Sequence, residues 1–134
     1  MASRPLTALE TAKAELILRI AFFGEFLGHG VFAWQKKQKF LDMLTAMTGI
    51  KGAVAGQLMQ AVGALDIVMA FLILVKPIRI VLAWGALWAL ATAIARPVSG
   101  DPIWDFVERL ANVGVPLALL YMRGIPKTAK EWLK

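Results

Sequence analysis

Residues 57–75, QLMQAVGALDIVMAFLILV, decide the fold. About 20 mostly apolar residues are enough to cross a bilayer as a helix. This run carries a single charged side chain, Asp66, close to its middle. Lipid offers no partner to an unpaired backbone N–H or C=O, so a run of this kind must close its hydrogen bonds internally as a helix. Two-residue alternation, the mark of a β-barrel strand, is absent from it.

Working outward, three further runs have the same character, at about residues 16–34, 78–95 and 103–122. The sequence therefore predicts an all-α protein, an integral membrane four-helix bundle forming one domain over residues 1–134. Hydrophobic residues make up 59% of the chain and its mean hydropathy is +0.66. A soluble bundle of this size keeps too much surface to hide so much apolar side chain.

Local signals place the helix ends. Thr7 followed by Glu10 is a capping-box pattern, so the first helix is expected to start before its apolar run. Pro77 suits the first turn of the third span, and Arg96-Pro97 marks its end. Asp101-Pro102 reads as an N-cap followed by a first-turn proline. Gly124 is a plausible stop for the fourth span, and Pro116 inside that span should bend it. Between the first two spans, Phe40, Met43, Leu44 and Met47 fall at helical spacing behind Lys36, Lys37 and Lys39. Two readings fit this loop: a short amphipathic helix lying on the membrane, or a cap over the bundle. Gly24 and Gly28, with Gly30, form a face of small residues on the first helix suited to close packing.

The net charge of +6 comes from basic residues at the ends of apolar runs, the pattern of flanked membrane helices. No aromatic-and-basic surface is visible, so no nucleic-acid partner is expected. Eight Lys and Arg residues fall on the side of the termini and five on the other. That bias predicts cytoplasmic termini in a multi-pass protein of a bacterial or archaeal cell membrane. The first run contains Arg19 and Glu25, which reads as a retained helix rather than a cleaved leader. With no cysteine, disulfides, thiol redox chemistry and iron–sulfur ligation are excluded.

Aligned by depth, Glu25, Asp66 and Asn112 fall at the middle of three different spans. His29, Glu108 and Arg109 form a second layer about 6 Å away. Glu25 and His29 are four residues apart and share a face. Asp105, Glu108, Arg109 and Asn112 fall within about 100° of arc on the fourth helix. Lipid penalises each such group by roughly 2.5–3.5 kcal/mol, so they are expected to face one another. Trp84 and Trp88 share a face of the third span, either as packing bulk or as a wall for a flat ligand.

The candidate ligand-binding residues are thus Glu25, His29, Asp66, Trp88, Glu108, Arg109 and Asn112. No metal is assigned: the Glu-x-x-x-His spacing is unspecific, and the Glu-x-x-His of helical di-iron sites is absent. His29 is the only histidine, which excludes bis-histidine haem within one chain. A quinone head needs hydrogen-bonding groups at its carbonyls, an aromatic wall and a proton route, and these residues offer all three. A lipid or other amphiphile would use much the same pocket.

The run from Leu16 to Arg19, the Gly28-His29-Gly30 element, Lys36, Phe40 and the Gly63-Ala64-Leu65-Asp66 stretch resemble the DoxX family, over about residues 16–123. The family often has a glutamate in the second helix, where this chain has Asp66, and the stretch from Trp104 to Arg109 matches no general family motif. The resemblance implies four membrane helices and association with membrane redox systems, and leaves open whether the chain is itself an enzyme. Three readings follow: a quinone- or lipid-interacting accessory subunit of a larger membrane protein complex; a proton-coupled transporter or binder of a small solute or lipid; and a structural scaffold, with homo-oligomers open in each case.

Overall fold

The computed structural model describes residues 4–134. The described residues form α1 (Ala8–Trp34), α2 (Gln38–Thr48), α3 (Gly52–Val75), α4 (Arg79–Val98), α5 (Ile103–Val107), α6 (Leu110–Met122) and α7 (Ala129–Trp132), with no strand among them. Three of these, α1, α3 and α4, are long and apolar enough to cross a membrane, which is consistent with a multi-pass membrane protein.

Helix α1 begins where the capping box places it. Thr7 Oγ1 accepts the Glu10 N–H at 3.2 Å, and Glu10 Oε2 accepts the Thr7 N–H at 2.9 Å. Helix α3 starts at Gly52, some residues ahead of its apolar run, and α4 continues through Arg96 and Pro97 to Val98. Gly124 follows α6 with φ 82°, the left-handed conformation that ends helices and that glycine adopts without a Cβ penalty.

The expected fourth span over 103–122 is not one helix. It is divided into α5 and α6 by a turn at Glu108-Arg109. There the Arg109 N–H bonds the Phe106 carbonyl and the Asn112 N–H bonds the Arg109 carbonyl, three-residue steps that tighten the chain. The 13 residues of α6 extend about 20 Å, less than a hydrocarbon core. The break also undoes the single arc expected for Asp105, Glu108, Arg109 and Asn112. Asp101 is not the N-cap that the sequence suggested. Pro102 takes that position without a side-chain cap, and the Asp101 carboxylate is held by Lys39 at 2.9 Å and Arg96 at 3.8 Å.

Side by side, α1 packs mainly on α3, α4 mainly on α6, and α6 on α1, while α3 and α4 touch little. The α1–α3 contact is the closest. A Cβ on Gly63 would stand 2.5 Å from the Trp34 N and 2.6 Å from the Gly30 carbonyl oxygen, so backbone meets backbone there. Gly24 and Gly28, expected to form that face, have nothing within 4 Å of such a Cβ. They lie on the opposite, exposed side of α1, because Gly30 is turned about 200° from Gly28 at 100° per residue. The core below is Phe22, Phe26, Met69, Ala70, Ile73, Leu82 and Leu119. The Phe22 and Phe26 rings stack at 4.1 Å, and Phe22 lies directly on Gly85 of α4.

Two arginines finish the helices. The Arg19 guanidinium donates to the carbonyls of Ile73, Leu74 and Val75, the last turn of α3. Arg79 donates to those of Arg123 and Gly124 just past α6. Each supplies donors, and a positive charge, to carbonyls with no intrahelical partner.

The packing separates two chemically identical substitutions. Gly63→Ala forces α1 and α3 apart and is expected to cost about 1–3 kcal/mol. Gly28→Ala meets nothing and is expected to be neutral or stabilising. Thermal melts of the two purified variants in one detergent check this; equal midpoints would contradict the close crossing.

Candidate functional site

A cavity of about 240 Å³ lies where α1, α3 and α4 diverge beneath α2. Helical periodicity supplies its walls. Helix α1 contributes Glu25, Phe26, His29 and Ala33, and α3 contributes Met59, Val62 and Asp66, each set on one face. Helix α4 contributes Trp88, Ala89, Thr92, Ala95 and Arg96 by the same three- and four-residue steps. Phe40, Met43, Leu44 and Met47 of α2 close the top. The apolar face of α2 is therefore turned onto the cavity.

Most of the wall is hydrocarbon, and the few polar groups converge. Asp66 is buried at 4% exposure, and its Oδ1 has no hydrogen-bond partner. Arg109, in the turn between α5 and α6, reaches into the cavity and brings its Nη1 to 3.3 Å from His29 Nε2. A guanidinium only donates. His29 Nε2 must therefore accept, which leaves the ring proton on Nδ1, facing Glu25 Oε1 at 3.8 Å. That separation is too long for a direct hydrogen bond. Arg109, His29 and Glu25 thus form a row along one wall, with Asp66 across from it. The Arg109 Nε is also buried without a partner.

Trp88 lines the cavity. Trp84 does not: it stacks on Trp88 with ring centroids 6.0 Å apart and planes 8° from parallel. The outer ring braces the inner one, and only Trp88 is available as a flat wall. Phe40 holds the ceiling above His29, with ring centroids 5.8 Å apart.

Of the residues singled out from the sequence, Glu25, His29, Asp66, Trp88 and Arg109 share this cavity. Asn112 is half-buried beside Glu25 but outside the lining. Glu108 is exposed and does not join them, because the turn that brings Arg109 inward sends its neighbour outward. Sequence reasoning missed Thr92 and Arg96. Both lie on the helical face that contains Trp88, at four and eight residues' distance, and that register was the available signal. Arg96 reads from the sequence as the end of a span, yet it is buried. Among the described residues no three His, Cys, Asp or Glu side chains converge on a metal-sized position.

No family model, curated protein or solved structure matches the chain. The site offers an orphan acceptor, an orphan donor and an aromatic plane inside an apolar chamber. Acidic and basic side chains both face it and most of its wall is hydrocarbon, so a full charge of either sign is poorly matched there. The group that fits best is neutral and flat, with both acceptor and donor character.

A buried acceptor without a partner costs stability. Asp66→Asn keeps the shape and an acceptor oxygen but removes the acid group, whose charged form is the costlier one to bury. Its stability is expected to equal or exceed that of the parent, by up to about 1–3 kcal/mol at the limit, with the melting midpoint moving the same way. Circular dichroism melts check this; a midpoint several degrees lower would mean that Asp66 serves the fold.

Proposed function

We propose that this chain is a four-helix integral membrane protein, similar in kind to the DoxX family, that binds a quinone or its quinol as an accessory subunit of a membrane redox complex. In this reading α5, the Glu108-Arg109 turn and α6 together make a broken fourth crossing. Interrupted helices are tolerated at membrane depth where they line a cavity, as Arg109 does here. Helix α2 lies along the membrane surface with its apolar face down. Trp34 and Trp104, both exposed, suit that same boundary as aromatic anchors. Both termini are cytoplasmic in a bacterial or archaeal cell membrane, on the charge asymmetry of the loops.

One observation carries the ligand assignment: Asp66 Oδ1 and Arg109 Nε are both buried without partners in residues that line the same cavity. A quinol hydroxyl donates to the first, and a quinone carbonyl accepts from the second. Trp88 stacks on the ring, and His29 and Glu25, whose facing atoms stand 3.8 Å apart, supply titratable groups on the same wall. The cavity, about 240 Å³, is below the range of drug-sized pockets and suits a single substituted ring. A phosphate headgroup fits less well, because most of the wall is hydrocarbon.

The Arg109–His29–Glu25 row supports a second reading, a proton-coupled binder of a small solute. Uptake into vesicles that follows a pH gradient and disappears in Asp66→Asn would favour it.

The primary test is organic extraction of the purified protein after delipidation. Quinone is expected in amounts approaching one per chain, and at least several-fold less in Asp66→Leu and in Arg109→Met. Parent protein carrying no quinone above the residual-lipid background would end the assignment.

A further inference from the structure

The cavity has walls on three long helices but a ceiling on one short one. Phe40, Met43, Leu44 and Met47 of α2 cover it, and Met59 of α3 meets them from the side. Methionine is unbranched and adaptable, and it fills irregular gaps without fixing one arrangement. Such a ceiling closes equally well over an empty or a filled chamber.

Both ends of α2 are pivots. Lys36, just before it, has φ 55°, an uncommon conformation for a residue with a Cβ. Gly49 and Gly52, just after it, have φ 75° and 68°. The chain reverses at these points, so helical hydrogen bonding does not run from α1 through α2 to α3. The N-cap of α2 makes no side-chain hydrogen bond.

Polar ties from α2 to the rest of the fold are scarce. Gln38 bonds Asp42 within the helix, Thr48 bonds the Leu44 carbonyl, and Thr45 bonds the carbonyl of Ile50 in the following pivot. Among the described residues, the one side-chain hydrogen bond from α2 to a distant element is Lys39 to Asp101, at 2.9 Å. Arg96 Nη1 stands 3.8 Å from the same carboxylate, so Asp101 joins the ceiling to the end of α4. A partly exposed ion pair of this kind is weak enough to open and close.

We infer that α2 is a hinged lid over the cavity, latched by Asp101, and that an amphiphilic ligand enters and leaves by its displacement. The inference rests on reading the cavity as a ligand site and adds the route of entry. Lys39 releases the lid when Asp101 no longer holds it. Arg96 stays buried on α4 and keeps the cavity wall in place.

The chain has no cysteine, so a single introduced thiol reports access to one point. Ala89→Cys places it on the buried cavity wall. Ala70→Cys places it in the fully buried core outside the cavity lining. Each is labelled with a water-soluble maleimide in detergent-purified protein, alone and together with Asp101→Asn or Lys39→Met. Either latch variant is expected to speed labelling at Ala89→Cys about three- to tenfold while leaving Ala70→Cys slow. Unchanged rates at Ala89→Cys in both latch variants would overturn the lid. So would equal acceleration at the two sites in both variants, because that reports general loosening. No quinone enters this measurement. Gated labelling without extractable quinone would uphold the lid and reject the quinone, and the converse result would do the reverse.

Discussion

The arrangement depends on the contact of α1 with α3 at Gly30 and Gly63. With no Cβ on either residue, two backbones meet where side chains would otherwise hold helices at the usual 8–10 Å or so. The consequence is local. Asp66 is one turn from Gly63, and His29 and Glu25 lie within two turns of Gly30, so the crossing carries all three into one chamber. A helix pair held apart by ordinary side chains would leave room for hydrocarbon between these carboxylates. Here the approach is set by the backbone itself, which makes the position of the polar groups insensitive to rotamer changes around them.

The ends of the helices are handled by a different device. The last carbonyls of a helix lack internal donors, and in an apolar medium water is not at hand to serve them. Arg19 serves α3 and Arg79 serves the end of α6, each from a neighbouring helix. The Arg123–Glu15 pair at 2.9 Å joins α1 to the end of α6 at the same level. That end of the molecule is tied by several charged groups, while the opposite end relies on the single cluster around Asp101.

Much of this was legible in the sequence where the signal was local. The Thr7 cap, the Gly124 stop and the three long apolar helices follow from spacing and residue type alone. The shared face of Glu25 and His29 also needed nothing more than helical periodicity. What failed required knowledge of partners. Gly24 and Gly28 have the spacing of a packing face, but which side of α1 meets α3 is decided by the whole assembly, and Gly30 was selected. Asp101 has the chemistry of an N-cap, yet Lys39, 62 residues away, takes its carboxylate. Glu108 was placed by assuming a straight helix through Arg109, and a two-residue turn there is invisible to hydropathy.

The connection between α3 and α4 is short and carries a proline. Lys76, Pro77 and Ile78 join the two helices tightly, and from that joint they spread apart toward α2. Phe22, Met69, Ile73 and Leu82 fill the narrow part of the wedge, all fully or nearly fully buried. The chamber lies above this packed wedge. On the side of the α3–α4 joint it meets a hydrocarbon floor. The hydrocarbon floor therefore sets the depth to which anything held beside Asp66 and Trp88 can sink.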